Sequence, residues 1–159
     1  MNSIPVNCYG VAAIILKKFD NTFKVLLMQR AKSLRGTWCY VAGSIEAGEK
    51  AWEAALREIK EETNLVPSKL YSGSICEQFY EIRKDSIWIA PVFIAYILDD
   101  QAVRLNEEHT DYKWVTNEEA RQMMSFPGQN RILDYVDQEF IKKKPTDWLL
   151  IETKEISLR

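Results

Sequence analysis

Residues 43–65 read GSIEAGEKAWEAALREIKEETNL, and this stretch decides the fold. Its first part, Gly43 to Gly48, is a predicted loop. From Glu49 to about Asn64 the chain turns to Ala, Glu, Lys, Leu and Arg with no Gly or Pro, the strongest helix signal in the sequence. Glu58, Glu61 and Glu62 stand at i, i+3 and i+4, so their carboxylates share one helix face. Like charges at that spacing cost a few tenths of a kcal/mol per pair in an isolated helix. Trp52, Ala55, Leu56 and Ile59 form a neighbouring apolar stripe for the core. Ala51 and Ala54 fall on or near the acidic face and leave room for something to approach. Hard oxygen ligands on a rigid base suit Mg²⁺. A solvated surface helix would carry the same acids. The loop before it tips the reading toward a site, because a phosphate chain can approach Gly43 and Gly48 where no Cβ intervenes. Arg57 lies at the same end of the helix and is within reach of Glu49, either to steady that loop acid or as an ordinary surface ion pair.

Outward from this helix the chain reads as strands with helices inserted. Val6 to Leu16 is an apolar, β-branched strand, and Asp20-Asn21-Thr22 turns it into a partner, Phe23 to Arg30. A break at Arg35-Gly36 precedes a short strand, Trp38 to Val41. Ser74 to Ile82 and Ser86 to Leu98 form a second pair around Arg83-Lys84-Asp85, and Tyr112 to Val115 is a further short strand. Thr116 or Asn117 caps a helix running through Met124. Pro127 opens a last helix to about Lys143. The tail beyond Pro145 is ambiguous and could add an edge strand. Strict βαβ alternation is absent, which predicts an α+β fold, an α/β/α sandwich around a mixed β-sheet.

Composition narrows the chemistry. The 159 residues predict a single domain over 1–159, with residues 145–159 as an uncertain tail. Lys plus Arg is 21 against 23 for Asp plus Glu, a net charge of −2, so a nucleic-acid partner is disfavoured. His109 is the one histidine, which rules out sites with several His ligands and leaves a Cys-His or Ser-His site only through it. Cys8, Cys39 and Cys76 are odd in number and widely spaced, pointing to partly buried structural thiols in a reduced cytoplasmic setting. The longest apolar run, Ile87 to Leu98, is interrupted by Pro91 and falls short of the ~20 residues of a membrane helix. No membrane partner is expected.

The sequence resembles the Nudix hydrolases. Their box reads G, five residues, E, seven residues, R-E-U-x-E-E-x-G-U, where U is aliphatic. Here Gly43, Glu49, Arg57-Glu58-Ile59-Lys60-Glu61-Glu62 and Thr63-Asn64-Leu65 match it across 43–65. Asn64 replaces the final Gly, and Asn is the non-Gly residue that best tolerates a left-handed helix end. Val41-Ala42-Gly43 stands where many relatives have Pro-Gly-Gly. VLLMQR (25–30), TWCYVAGSIEAGE (37–49), Glu108-His109 through Tyr112-Lys113-Trp114, and Asn130-Arg131 are similar to the bacterial dihydroneopterin triphosphate pyrophosphohydrolases.

This resemblance implies a Nudix fold and hydrolysis, dependent on Mg²⁺ or Mn²⁺, of a nucleoside diphosphate linked to another group. By position it makes Glu58 and Glu62 the main metal ligands, Glu61 a further ligand or water-orienting base, and Glu108 a later acid of the metal site. Arg57 joins the catalytic set. Arg30, Ala42 and Gly43 fall on the substrate side, with Arg30 against phosphate. The expected partner is a small polyphosphate, and the expected state a monomer or homodimer. The general base stays open between the carboxylates, because an ordinary Glu at a pKa near 4.3 needs tuning. Glu108 could also belong to a solvated loop, and His109 is expected to orient that loop or pack rather than bind metal. Trp38, Tyr40, Trp88, Phe79 and Tyr80 are candidates to stack on a ring, or core and hairpin packing. A non-catalytic nucleotide sensor is disfavoured by the retained carboxylates, and RNA decapping by the missing basic patch.

Overall fold

The computed structural model describes residues 1–153. Eight strands form one mixed sheet: β1 (Val6–Asn7), β2 (Gly10–Phe19), β3 (Thr22–Arg30), β4 (Trp38–Cys39), β5 (Val41–Ser44), β6 (Lys69–Glu81), β7 (Ser86–Ile97) and β8 (His109–Val115). Among the described residues three α-helices cover it: α1 (Ala51–Thr63), α2 (Asn117–Met123) and α3 (Pro127–Val136). β2 runs parallel to β7 along one edge. Its other edge pairs antiparallel with β3 at residues 16–19 and with β5 at residues 10–13. β8 adds to the far side of β3, and β6 to the far side of β7.

Alternation along β2 and β3 makes two cores, one on each face. Ala12, Ile14, Leu16, Val25 and Leu27 pack beneath α2 and α3 with Leu133, Val136 and Phe140. Val11, Ala13, Ile15, Leu26 and Met28 pack against Ala54, Ala55 and Ile59 of α1. Each fully buried Leu or Ile contributes about 1.5–3 kcal/mol relative to exposure. This is the expected sandwich of a mixed sheet between helices. Among the described residues no helix is long and apolar enough to cross a membrane.

Several local expectations are corrected. Gly43 is not in a loop: β5 extends to Ser44, because residues 41–44 take the edge of β2 that β3 has left. Trp38 to Val41 splits at Tyr40, the first half pairing with β3 and the second with β2. The first strand breaks at Cys8-Tyr9, and β1 joins β7 instead. β6 starts at Lys69, five residues early, with a register shift between Ser72 and Cys76 that includes Ser74 at φ 58°. The last helix leaves α geometry at Val136 and continues as one π-helical turn, Asp137–Ile141, which buries Phe140. Ala54 is buried in the α1 core and Ala51 packs partly against the same cluster, so both small side chains serve packing. Only Cys39 is a buried thiol, while Cys8 and Cys76 are exposed. In the tail, Leu150 bridges Tyr71 and the Ile151 N–H donates to the Leu70 carbonyl, an isolated edge contact in place of a full strand. The rest of the expected tail, 154–159, lies outside the described residues.

Candidate active site

Helix α1 starts after an ordered loop. The Glu53 carboxylate accepts from the Lys50 N–H at 2.8 Å, satisfying a group the helix start would leave bare. Asn64 ends the helix at φ 64°, in the left-handed conformation, and its N–H donates to the Lys60 carbonyl at 2.9 Å.

Arg57 ties that loop to the helix. It donates to both Glu49 oxygens at 2.8 and 3.0 Å and to the Ser44 carbonyl at 2.8 Å. It also donates to Glu58 at 2.7 Å and Glu61 at 3.3 Å. Glu49 in turn accepts from the Glu46 N–H at 2.9 Å. These bonds hold the Glu49 carboxyl below its ordinary range. The loop is therefore clamped through a planar fork that a lysine could not supply.

Gly43 makes space for Glu58. A Cβ at residue 43 would lie 2.1 Å from the Glu58 carboxyl carbon. Glu58 is half-buried, and burial raises its carboxyl pKa against the pull of Arg57. Glu61 sits at the rim, its side chain 54% exposed. Glu62 is the buried one, at 3% exposure. Burial first, then the Glu58 and Glu108 carboxylates, push its carboxyl up to about 9, with Arg30 pulling the other way. Glu62 Oε2 has no hydrogen-bond partner.

Glu108, just before β8, and His109, its first residue, come to this point. The Glu108 carbonyl accepts from the Ala31 N–H at 2.9 Å, which pins the acid beside the end of β3. A register shift between Gln29 and Arg30 re-aims Arg30 next to His109. One ligand atom each from Glu62, Glu108 and His109 lies within 4.8 Å of the others. The structure thus gathers Arg30, Glu58, Glu62 and Glu108, with Glu61 at the rim and Arg57 behind. Gly43 supports the floor. Ala42 is exposed and pairs with Ala12 on β2.

Such a concentration of carboxyl groups around a buried, unpartnered oxygen costs stability unless a cation enters. The donors are oxygens plus one imidazole, and they fit a divalent metal.

Two features went unread in the sequence. Cys39 Sγ lies 3.6 Å from His109 Nε2, joining a residue taken as structural to the site. Glu77 is an acid at an inward position of β6, and it accepts from Gln129 of α3 at 3.3 Å and faces Tyr40 and Arg30. An acid breaking the apolar alternation of β6 was the available signal. Of the aromatic candidates, Tyr40 is buried, Trp88 packs edge-on against Tyr9, and Tyr80 donates to Asp85. Trp38 lies under the Lys113 ammonium, and Phe79 lies beside Trp88.

A family model described as the NUDIX domain matches residues 8–136. The asymmetrical bis(5'-nucleosyl)-tetraphosphatase of Sus scrofa is 31% identical over 124 residues, covering 75% of this chain and 82% of that one. A solved binary complex of a Caenorhabditis elegans Ap4A hydrolase superposes with a TM-score of 0.71 at 24% identity, over 81% of this chain and 94% of that one. The Escherichia coli dihydroneopterin triphosphate pyrophosphohydrolase gives a TM-score of 0.68 at 21% identity, over 88% and 99%. Both likenesses concern the fold.

Proposed function

The chain belongs to the Nudix family of hydrolases, which act on nucleotide-like substrates, and from that premise we propose a divalent-cation-dependent pyrophosphohydrolase of nucleoside polyphosphates. The observation that carries this reading is the buried Glu62 carboxyl, whose Oε2 has no hydrogen-bond partner, beside Glu58, Glu108 and Arg30. Glu58, Glu62 and Glu108 would hold Mg²⁺ or Mn²⁺. When bound, the cation neutralises polyphosphate charge and acidifies a water.

The chain's own groups supply the rest. Arg30 donates charge-assisted hydrogen bonds to phosphate oxygens. Glu61, at the exposed rim, orients the attacking water and takes its proton. Arg57 positions Glu58 and the Glu49 loop instead of touching substrate. Gly43 lets Glu58 lie flat on β5, and the neighbouring Ala42 backbone borders the phosphate path. Water attacks a phosphorus of the chain, the bridging P–O bond breaks, and the leaving phosphate departs as an anion.

The favoured substrate is a dinucleoside tetraphosphate cut into unequal pieces, because a relative of that activity matches over three quarters of the chain. A second reading is pyrophosphate release from a triphosphate such as dihydroneopterin triphosphate. It is favoured by the likeness of residues 25–30, 37–49 and 108–114. The test is a panel of these compounds with Mg²⁺ or Mn²⁺, with products separated. Turnover of either class that stops on chelation supports the reaction, and the preferred compound chooses between them. Failure to cleave any polyphosphate in either cation overturns it.

A further inference from the structure

His109 is the sole histidine, and its two ring nitrogens stand in different surroundings. On one side Nε2 lies 3.6 Å from Cys39 Sγ, and that sulfur is itself 3.5 Å from the Met28 carbonyl. On the other, Nδ1 is buried with no hydrogen-bond partner. A proton on Nδ1 would be a stranded buried donor. A proton on Nε2 points at a sulfur that can accept it, while the thiol hydrogen goes to Met28. The arrangement therefore selects the tautomer whose Nδ1 lone pair is free. The same ring contributes a ligand atom to the group with Glu108 and the buried Glu62, whose Oε2 is also unpartnered.

We propose that His109 is a nitrogen ligand of the divalent cation, alongside Glu62 and Glu108, and that Cys39 is the positioning residue that sets its tautomer. This deepens the divalent-cation reading above and rests on it. Imidazole suits transition metals better than Mg²⁺, which prefers oxygen. The site then favours Mn²⁺ over Mg²⁺, and a residue behind the ligand modulates that preference.

The probe is Mn²⁺ bound to the full chain with no affinity tag, with no substrate present. Pulsed EPR reads nitrogen coupled to the manganese, and ring-¹⁵N histidine assigns it, since only one histidine exists. A coupling that changes with the label supports the proposal. His109→Gln should abolish the coupling and weaken Mn²⁺ at least tenfold, while changing Mg²⁺ affinity no more than about threefold. In the metal-free protein, NMR of the labelled ring should show the proton on Nε2, and Cys39→Ala should mix the tautomers. Bound Mn²⁺ with no histidine coupling in the native chain overturns the proposal and leaves the cation reading standing. A proton found on Nδ1 overturns the role of Cys39. Mn²⁺ that fails to bind, or binds Glu62→Gln equally well, overturns both.

Discussion

The carboxyl group of Glu58 occupies the volume that any side chain on residue 43 would need. The gap from an added Cβ to that carboxyl carbon is only 2.1 Å. Strand β5 and helix α1 meet here without a Cβ between them, so an acid from the helix can lie against the strand backbone.

Gly43→Ala should therefore disarm the site without unfolding the chain. Gly43 is extended strand, which Ala also adopts, so the added methyl acts only by displacing Glu58. We expect kcat/KM to fall at least tenfold, about 1.4 kcal/mol in transition-state binding, with the circular dichroism spectrum unchanged. Unaltered kinetics would mean that Glu58 has no need of its present position.

Glu62→Gln should trade activity for stability. In the metal-free folded chain the Glu62 proton stays on until about pH 9, far above the ordinary carboxylate range. Between those limits the folded chain binds more protons than the unfolded one. Its stability is then fullest below the ordinary carboxylate range and declines as pH rises toward 9. The amide carries no charge to bury. Calorimetry of the metal-free variant at pH 8 should show a gain on the order of 1–2 kcal/mol, with the alkaline decline flattened. Hydrolysis should be lost in the same variant. A variant less stable than the parent at pH 8 would contradict this reading of the cluster.

Arg57→Lys keeps the charge and removes the fork. One ammonium cannot serve both Glu49 oxygens, the Ser44 carbonyl and Glu58 together. Activity should drop ten- to a hundredfold, and segment 44–50 should become the first site of limited proteolysis. An equally resistant loop would show that the clamp is dispensable.

Asn64 separates two ideas about the helix end. If its role is only to adopt φ 64°, Asn64→Gly should leave activity intact and shift stability by less than about 1 kcal/mol. Asn64→Val should cost about 1–2 kcal/mol, because a β-branched residue is strained there. Thermal unfolding of the two variants makes the comparison, and equal costs would refute the backbone account.

Much of this was legible along the chain because the governing physics is local. Three acids at helical spacing identify one face of α1, and a left-handed Asn marks its end, with no knowledge of the rest. Alternation in residues 10–30 reveals strands for the same reason. What escaped reading depends on partners distant in sequence. Nothing near Gly43 says that β2 changes neighbours from β3 to β5, yet that exchange turns an expected loop into strand. Ala54 reads as neighbouring the acids on a helical wheel, but the sheet packs there instead. Cys39 and His109 are 70 residues apart, and only the pairing of β3 with both β4 and β8 makes them touch.

That same pairing orders events on the ribosome. Residues 1–65 already contain Arg30 and every acid of the helix, but β8 closes the site from positions 109–115. A nascent chain stopped before that strand emerges carries the acids on α1 without Glu108, His109 or the strand that fixes them beside β3. On the proposed metal-site reading, cation capture is a late step in maturation, and early truncation products should neither bind the metal nor compete for substrate.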